Sequence, residues 1–353
     1  MLVGVVLAIA IPAAAQPRQP DAKLDAAVRT QVIDAALAAL SRSYVFPEVA
    51  AKIDVAIRER VKAHAYDRVT SSLAFAEALT KDLQAVSHDK HMRVFYRAQP
   101  VPDDPPPDAV PSAADQARRH AFAQRINAAF VKAERLDGNI GYLRIDGFLP
   151  PEECGPRAAA AMTFLADTDA LILDARENHG GDPASVAIVV SYLYDASDEI
   201  HINDIYWHPD NSTRQLWTIQ SLPGRRYPKK PVYLLTSHET FSGGEELAYD
   251  LQTEKRATLV GEVTGGGANP GGPSKIGEHF ALFVPQGRAV NPVTKTSWEG
   301  TGVKPDVATT AAKALDTAYL AALRAQRKRV DATDEPELHD EIEQAIGKLE
   351  GKR

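Results

Sequence analysis

An α/β core behind a small helical domain is the fold the sequence predicts, and three observations predict it. Between Leu24 and Leu83 apolar residues recur at three- and four-residue spacings, the mark of amphipathic helices. From Asn139 onward short apolar runs alternate with helix-patterned stretches. Two of those runs, 171-LILDA-175 and 232-VYLLT-236, are nearly continuously apolar and lead into glycine-bearing turns, as strands buried on both faces do.

The elements follow in order. Residues 2–12 are almost wholly apolar and precede Ala13-Ala14-Ala15, so residues 1–15 read as a signal peptide cleaved before Gln16. The mature chain is then periplasmic or secreted and has no membrane span, since the apolar run is too short to cross a bilayer. Residues 16–23 are a polar linker. Residues 24–96 form the helical domain: Val28, Val32, Ile33, Ala36, Leu37 and Leu40 define one helix, Val49, Ile53 and Ile57 a second, and Leu73, Ala76, Leu79 and Leu83 a third. Met92, Val94 and Tyr96 alternate as a strand does. Residues 97–118 are a proline-rich linker, and 116–135 read as a helix. The α/β domain covers 119–325, with 278-EHFALFVPQGRAVNP-292 read as a pair of hairpin strands. Residues 326–353 form a C-terminal helical tail.

Composition bounds the function. The chain has 353 residues, 44% hydrophobic and 25% charged, with a formal net charge of -7. These values fit a globular chain and exclude a fibrous or disordered one. The acidic balance gives no electrostatic footprint for nucleic acid. A single cysteine excludes a disulfide framework and any multi-cysteine metal site.

Four constellations carry chemistry. In 240-TFSGGEEL-247 an apolar strand gives way to a serine, two glycines and a helix. Ser242 is then either an exposed nucleophile at a helix N-terminus or an N-cap boxed with Glu245. In 171-LILDARENHGG-181 a buried strand delivers Asp174, Arg176 and Asn178, then Gly180 and Gly181, whose amides suit an anion or merely a tight turn. In 87-SHDKH-91 the spacing of His88 and His91 fits a single general base better than a metal pair, or else a surface histidine at a domain junction. In 297-SWEGTGVKPD-306, Glu299 is either a structural acceptor beside Trp298 or an acid orienting a histidine.

Together and in order, these motifs resemble the tail-specific (C-terminal-processing) serine peptidases. The likeness is to the branch containing the tricorn protease core and the interphotoreceptor retinoid-binding protein modules. It runs over roughly residues 25–325 and includes 261-GEVTGGGANPGG-272. The resemblance implies a crotonase-like (ClpP/crotonase-type) core and an exported serine-type peptidase acting on peptides or proteins. It implies Ser242 as nucleophile, His91 as base and Glu299 as orienting acid. The oxyanion hole would come from Gly243 with Gly180 or Gly181, and substrate contacts from Gly266, Gly267 and Asn269. No metal or organic cofactor is implied. Three departures stand out. Gly267 occupies the position where relatives with a Ser–Lys dyad carry lysine, and Lys275 would reach it only if the loop folded back. Lys90 stands where the tricorn branch has serine. Residues 97–138 are too short for a PDZ domain. Two other readings stay open: a non-catalytic module for small apolar ligands, and a hydrolase of non-peptide acyl bonds. Oligomeric state is not legible.

Overall fold

A computed structural model describes residues 20–106 and 109–351. The expected signal peptide at 1–15 and its cleavage site lie outside these residues. In chain order the elements are α1 (Ala26–Ser43), α2 (Pro47–Lys62), α3 (Ser72–Ser87), β1 (Arg93–Tyr96), α4 (Ala113–Arg125), β2 (Phe130–Leu136), β3 (Ile140–Ile145), α5 (Pro151–Leu165), β4 (Ala170–Asp174) and α6 (Pro183–Ser191). Then come β5 (His201–Trp207), β6 (Ser212–Trp217), β7 (Val232–Thr236), α7 (Gly243–Thr253), β8 (Thr258–Gly261), β9 (Gly271–Gly277), β10 (Phe280–Pro285), β11 (Gly287–Val290), β12 (Val307–Ala308), α8 (Ala311–Arg327) and α9 (Pro336–Glu350). Among the described residues no helix is long and apolar enough to cross a membrane.

The chain divides into two compact units. The first joins the residues up to Pro111 with 204–214 and 267–290. α1 and α3 start where short polar side chains cap them, Asp25 accepting the Val28 N–H and Ser71 the Ala74 N–H, while α2 starts on Pro47. Their apolar stripes then face inward. Ile53, Ile57, Leu79 and Leu83 are fully buried, each contributing ~1.5–3 kcal/mol by leaving water. The stripe covers one face of the antiparallel sheet β1-β10-β9, whose Ile276, Phe280, Leu282 and Val284 complete the core.

The second unit comprises 112–203, 215–266 and the chain from Asn291. It is built on a six-stranded sheet ordered β12-β8-β7-β4-β3-β2, parallel except for β2. β4 is buried along its whole length, as its unbroken apolar run requires. The faces of α8 and α9 close one side through Ala314, Ala318, Leu323, Ile342 and Ile346 against Ile140, Ile172, Leu235 and Val260. This α/β arrangement is the one the alternating pattern predicts.

Two local expectations fail for identifiable reasons. The helix expected over 116–135 stops at Arg125, and Phe130–Leu136 is a strand paired antiparallel to β3. Its turn is Asp137-Gly138-Asn139, with φ of 73° at Gly138 and 57° at Asn139, a three-residue turn that commits both flanks to a hairpin. The strands expected to pair within 278–292 do not pair with each other. β10 has both edges taken, by β1 and β9, and β11 pairs with β5, Gly287 opposite Trp207.

Candidate active site

In the second unit, β4 and β7 run parallel and end side by side, Asp174 opposite Leu235. The turns after them are sewn together. Thr240 Oγ1 donates to the Ala175 carbonyl at 2.7 Å, and the Phe241 N–H donates to the Asn178 carbonyl at 2.9 Å. Asn178 is fully buried; its Nδ2 donates to the Ile145 carbonyl, and its Oδ1 accepts the Gly180 N–H at 2.9 Å. Asp174 is structural. Arg176 grips it through Nε and Nη2, and Tyr142 donates to it at 2.7 Å. Burial would raise the Asp174 pKa, but these bonds outweigh it and hold the carboxyl below its ordinary value.

Ser242 caps α7 with φ 55° and ψ -120°, a region that L-residues with a Cβ enter only under strain. A side chain so held projects from a sharp strand-to-helix turn. Gly180 packs against it: a Cβ there, at φ 95°, would stand 2.6 Å from the Ser242 Cβ. Gly244 must also be glycine, since a Cβ would meet the Asn178 carbonyl oxygen and Oδ1 at 2.8 Å. Gly181 N lies 3.0 Å from the position of a Cβ on Gly243, so the amide of Gly181 and the start of α7 meet beside Ser242. Of the two amides weighed for the oxyanion hole, that of Gly180 is already spent on Asn178. The remaining pair is Gly181 and Gly243.

Glu245 binds this turn to the glycine-rich loop, and the sequence reading gave it only a capping role. It is fully buried; it accepts the Ser242 N–H at 2.9 Å, the Thr264 hydroxyl at 2.5 Å and the Gly266 N–H at 2.6 Å. Gly266, at φ 83°, in turn accepts the Gly300 N–H at 3.1 Å, next to Glu299. Trp298 is buried and packs against Tyr249, the rings 5.4 Å apart and tilted by 46°, which fixes the loop carrying Glu299. Gly266, expected to touch substrate, thus has its N–H committed to Glu245.

His91 belongs to the first unit, in the turn between α3 and β1. His88 ends α3 in a left-handed conformation with its side chain exposed, so of the two histidines only His91 points inward. Its ring stacks on Phe283, centroids 5.7 Å apart. Asp89, which the sequence reading passed over, is buried beside it. Its carboxylate accepts the His91 N–H at 3.0 Å, the Asn269 amide at 2.9 Å and the Tyr44 hydroxyl at 3.4 Å, and lies 4.0 Å from His91 Nδ1. Asn269, expected to contact substrate, is therefore a buried support for Asp89. Burial lowers the His91 pKa to about 4 and raises that of Asp89 to about 6, the latter opposed by Asn269, the His91 N–H and Tyr44. The D-x-H spacing itself was the signal for Asp89. Gly267 begins the same segment of the first unit as Asn269. Lys275 lies on β9 with Nζ 2.7 Å from Asp103.

Residues 139–309, which hold Ser242, Glu299 and the glycine amides, match peptidase family S41. Residues 23–131, which hold His91, match the N-terminal domain of peptidase S41 in eukaryotic IRBP. The chain belongs to peptidase family S41. The carboxy-terminal-processing protease of Bartonella bacilliformis is 27% identical to this S41 chain over 179 residues, 49% of this chain and 39% of that one. The match thus spans about two fifths of that relative's length. A lipoprotein structure from Streptococcus agalactiae shares the fold with a TM-score of 0.55 at 13% identity, over 87% of this chain and 98% of that one. The tricorn protease does so with a TM-score of 0.52 at 14% identity, over 85% of this chain and 36% of that one.

Proposed function

We propose that this S41 chain is an exported serine peptidase that hydrolyses peptide bonds, with Ser242 as nucleophile. The observation that carries the reading is the strained Ser242 turn held against Gly180, with the amides of Gly181 and Gly243 beside it. A hydroxyl needs a base to attack a carbonyl, and the oxyanion that forms needs donors already in place. Ser242 Oγ attacks the scissile carbonyl carbon, His91 takes its proton, and the Gly181 and Gly243 N–H groups hold the oxyanion. His91 then returns the proton to the leaving amine, and water repeats the cycle on the acyl-enzyme. Glu299 orients His91, as the family resemblance implies, while Asp89 positions the His91 turn from below.

The reading extends to the architecture. The core of the second unit is of the crotonase type. α4 and β2 occupy much of the stretch between the helical segment and the core, which supports a chain without a PDZ domain there. Substrate capture by a PDZ groove is then not part of this enzyme's cycle. The apolar run at 2–12 and the small residues after it support export.

The test compares internally quenched peptides with aryl esters as substrates for the wild type and Ser242→Ala. Peptide hydrolysis lost in the variant supports the reading. Ester hydrolysis without peptide hydrolysis points to a non-peptide acyl hydrolase instead.

A further inference from the structure

Behind the nucleophile turn, α7 carries a second acidic pair that the proposed chemistry does not use. Glu246 and Asp250 stand one helical turn apart, 4% and 2% exposed. Asn203, fully buried on β5, donates Nδ2 to Glu246 Oε1 at 3.0 Å. Asn291, also buried, donates Nδ2 to Asp250 Oδ1 at 3.4 Å. Two buried oxygens in this cluster, Asp250 Oδ2 and Asn203 Oδ1, receive no hydrogen bond. Among the described residues, the charged groups that act on the pair add negative charge, and the guanidinium near Tyr194 is engaged elsewhere. Asp182, which caps α6, and Glu254 add negative charge. The guanidinium of Arg256 donates to the Leu193 and Tyr227 carbonyls. Tyr194 faces Asp250 as a neutral phenol, its ionisation suppressed by burial and by Glu254.

Two ionised carboxylates cannot share a dry site without a cation to neutralise them. Both amides already present N–H groups to the carboxylates, which suits a proton in the cluster better than a metal ion. We propose that Glu246 and Asp250 hold one proton between them in the folded protein. That proton adds a donor to those of the Asn203 and Asn291 amides and the Tyr194 hydroxyl, removes one of two like charges from a buried pair, and makes α7 sensitive to pH. Burial pushes the Glu246 carboxyl up to about 7 and that of Asp250 well above its ordinary range, in the same sense.

The sign follows from linkage. A carboxyl whose pKa is higher folded than unfolded binds its proton more tightly in the native state. Its contribution to stability is present at low pH and fades as pH rises from the unfolded value through the folded one. Because Ser242 caps α7, the helix that loosens is the one carrying the proposed nucleophile. The proton itself does not depend on the peptidase reading.

Melting curves of the full chain between about pH 5 and about pH 8 test it, for the wild type, Asp250→Asn and Glu246→Gln. Each is run with choline chloride, sodium chloride and calcium chloride. A carboxamide supplies permanently the N–H that the proton supplies reversibly. The wild-type Tm should fall by about 5 °C or more across this range. Asp250→Asn should flatten the fall and match or exceed the wild type at the alkaline end, and Glu246→Gln should flatten it in part. Equal losses of Tm at every pH in both variants would overturn the proposal. So would a wild-type Tm raised by calcium or sodium and indifferent to pH, which would mean a bound cation instead.

Discussion

The backbone N–H of Ser242 lies 2.9 Å from a carboxylate oxygen of Glu245, whose other oxygen holds the Gly266 N–H at 2.6 Å. One buried side chain thus fixes the proposed nucleophile's turn and the glycine-rich loop together. An ionised carboxylate is an acceptor only and can take all three donors, whereas a carboxamide must turn one of its ends away. Glu245→Gln should fold but react with a fluorophosphonate at least ~10-fold more slowly. Glu245→Ala leaves three buried donors unpaired, at ~1–3 kcal/mol each, and should melt well below the wild type. Stopped labelling reactions and melting curves on the same preparations check both.

Gly180 is required by contact as well as by conformation. At φ 95°, with a Cβ 2.6 Å from that of Ser242, alanine must displace the nucleophile's turn. Gly180→Ala should cost at least ~1–3 kcal/mol of stability and nearly all labelling. Gly272→Ala is the control, because nothing lies within 4 Å of a Cβ there. It should keep wild-type labelling and melt near the wild type, because it triggers none of the packing or strain mechanisms behind large losses of stability.

Burial moves the titration of His91 far from that of a free imidazole. With a pKa of about 4, the ring is a neutral base across the physiological range. The acid limb of the kcat/KM profile should therefore fall near pH 4 rather than near the ~6.5 of an unperturbed histidine. Stability moves the same way. The unfolded histidine binds a proton that the folded one refuses, so the contribution of His91 declines as pH falls from ~6.5 toward 4. A pH–rate profile on a small peptide substrate, beside melting curves at the same pH values, checks both limbs.

Much of this was legible in the sequence. Val32, Ile33, Leu37 and Leu40 recur with the helical period and are buried on α1. The unbroken run before Asp174 is the central strand. Ser242, Gly243, Gly180 and Gly181 stand out as candidates because strand, turn and helix punctuation is local, whereas His91 stands out through the family resemblance. The partners were not legible, because they depend on long-range closure. Asn269 meets Asp89 across 180 residues, and Asn178 takes the Gly180 amide only once its side chain is buried under the turn. The short helix-like stretch at 130–136 misled because its strand character lies in the turn that follows, not in its own residues.

Lys275 separates two mechanisms. It sits on β9, paired with Asp103 at 2.7 Å, and its backbone N–H donates to Asp104 at 2.8 Å. An ion pair whose acid is almost wholly exposed adds little stability, because water screens it. Lys275→Ala should keep most peptide hydrolysis, measured at saturating substrate, whereas His91→Ala should lose it. The reverse outcome would restore a serine–lysine dyad.

The central claim is that Ser242 is the nucleophile, and mapping a covalent adduct tests it most directly. The full chain is treated with a fluorophosphonate, digested and sequenced by mass spectrometry. One phosphonyl group on Ser242 is predicted, with none on Ser242→Ala, which should melt within a few degrees of the wild type because little more than a cap worth ~1 kcal/mol is at stake. An adduct on another serine, or folded wild type that never labels, would contradict the account.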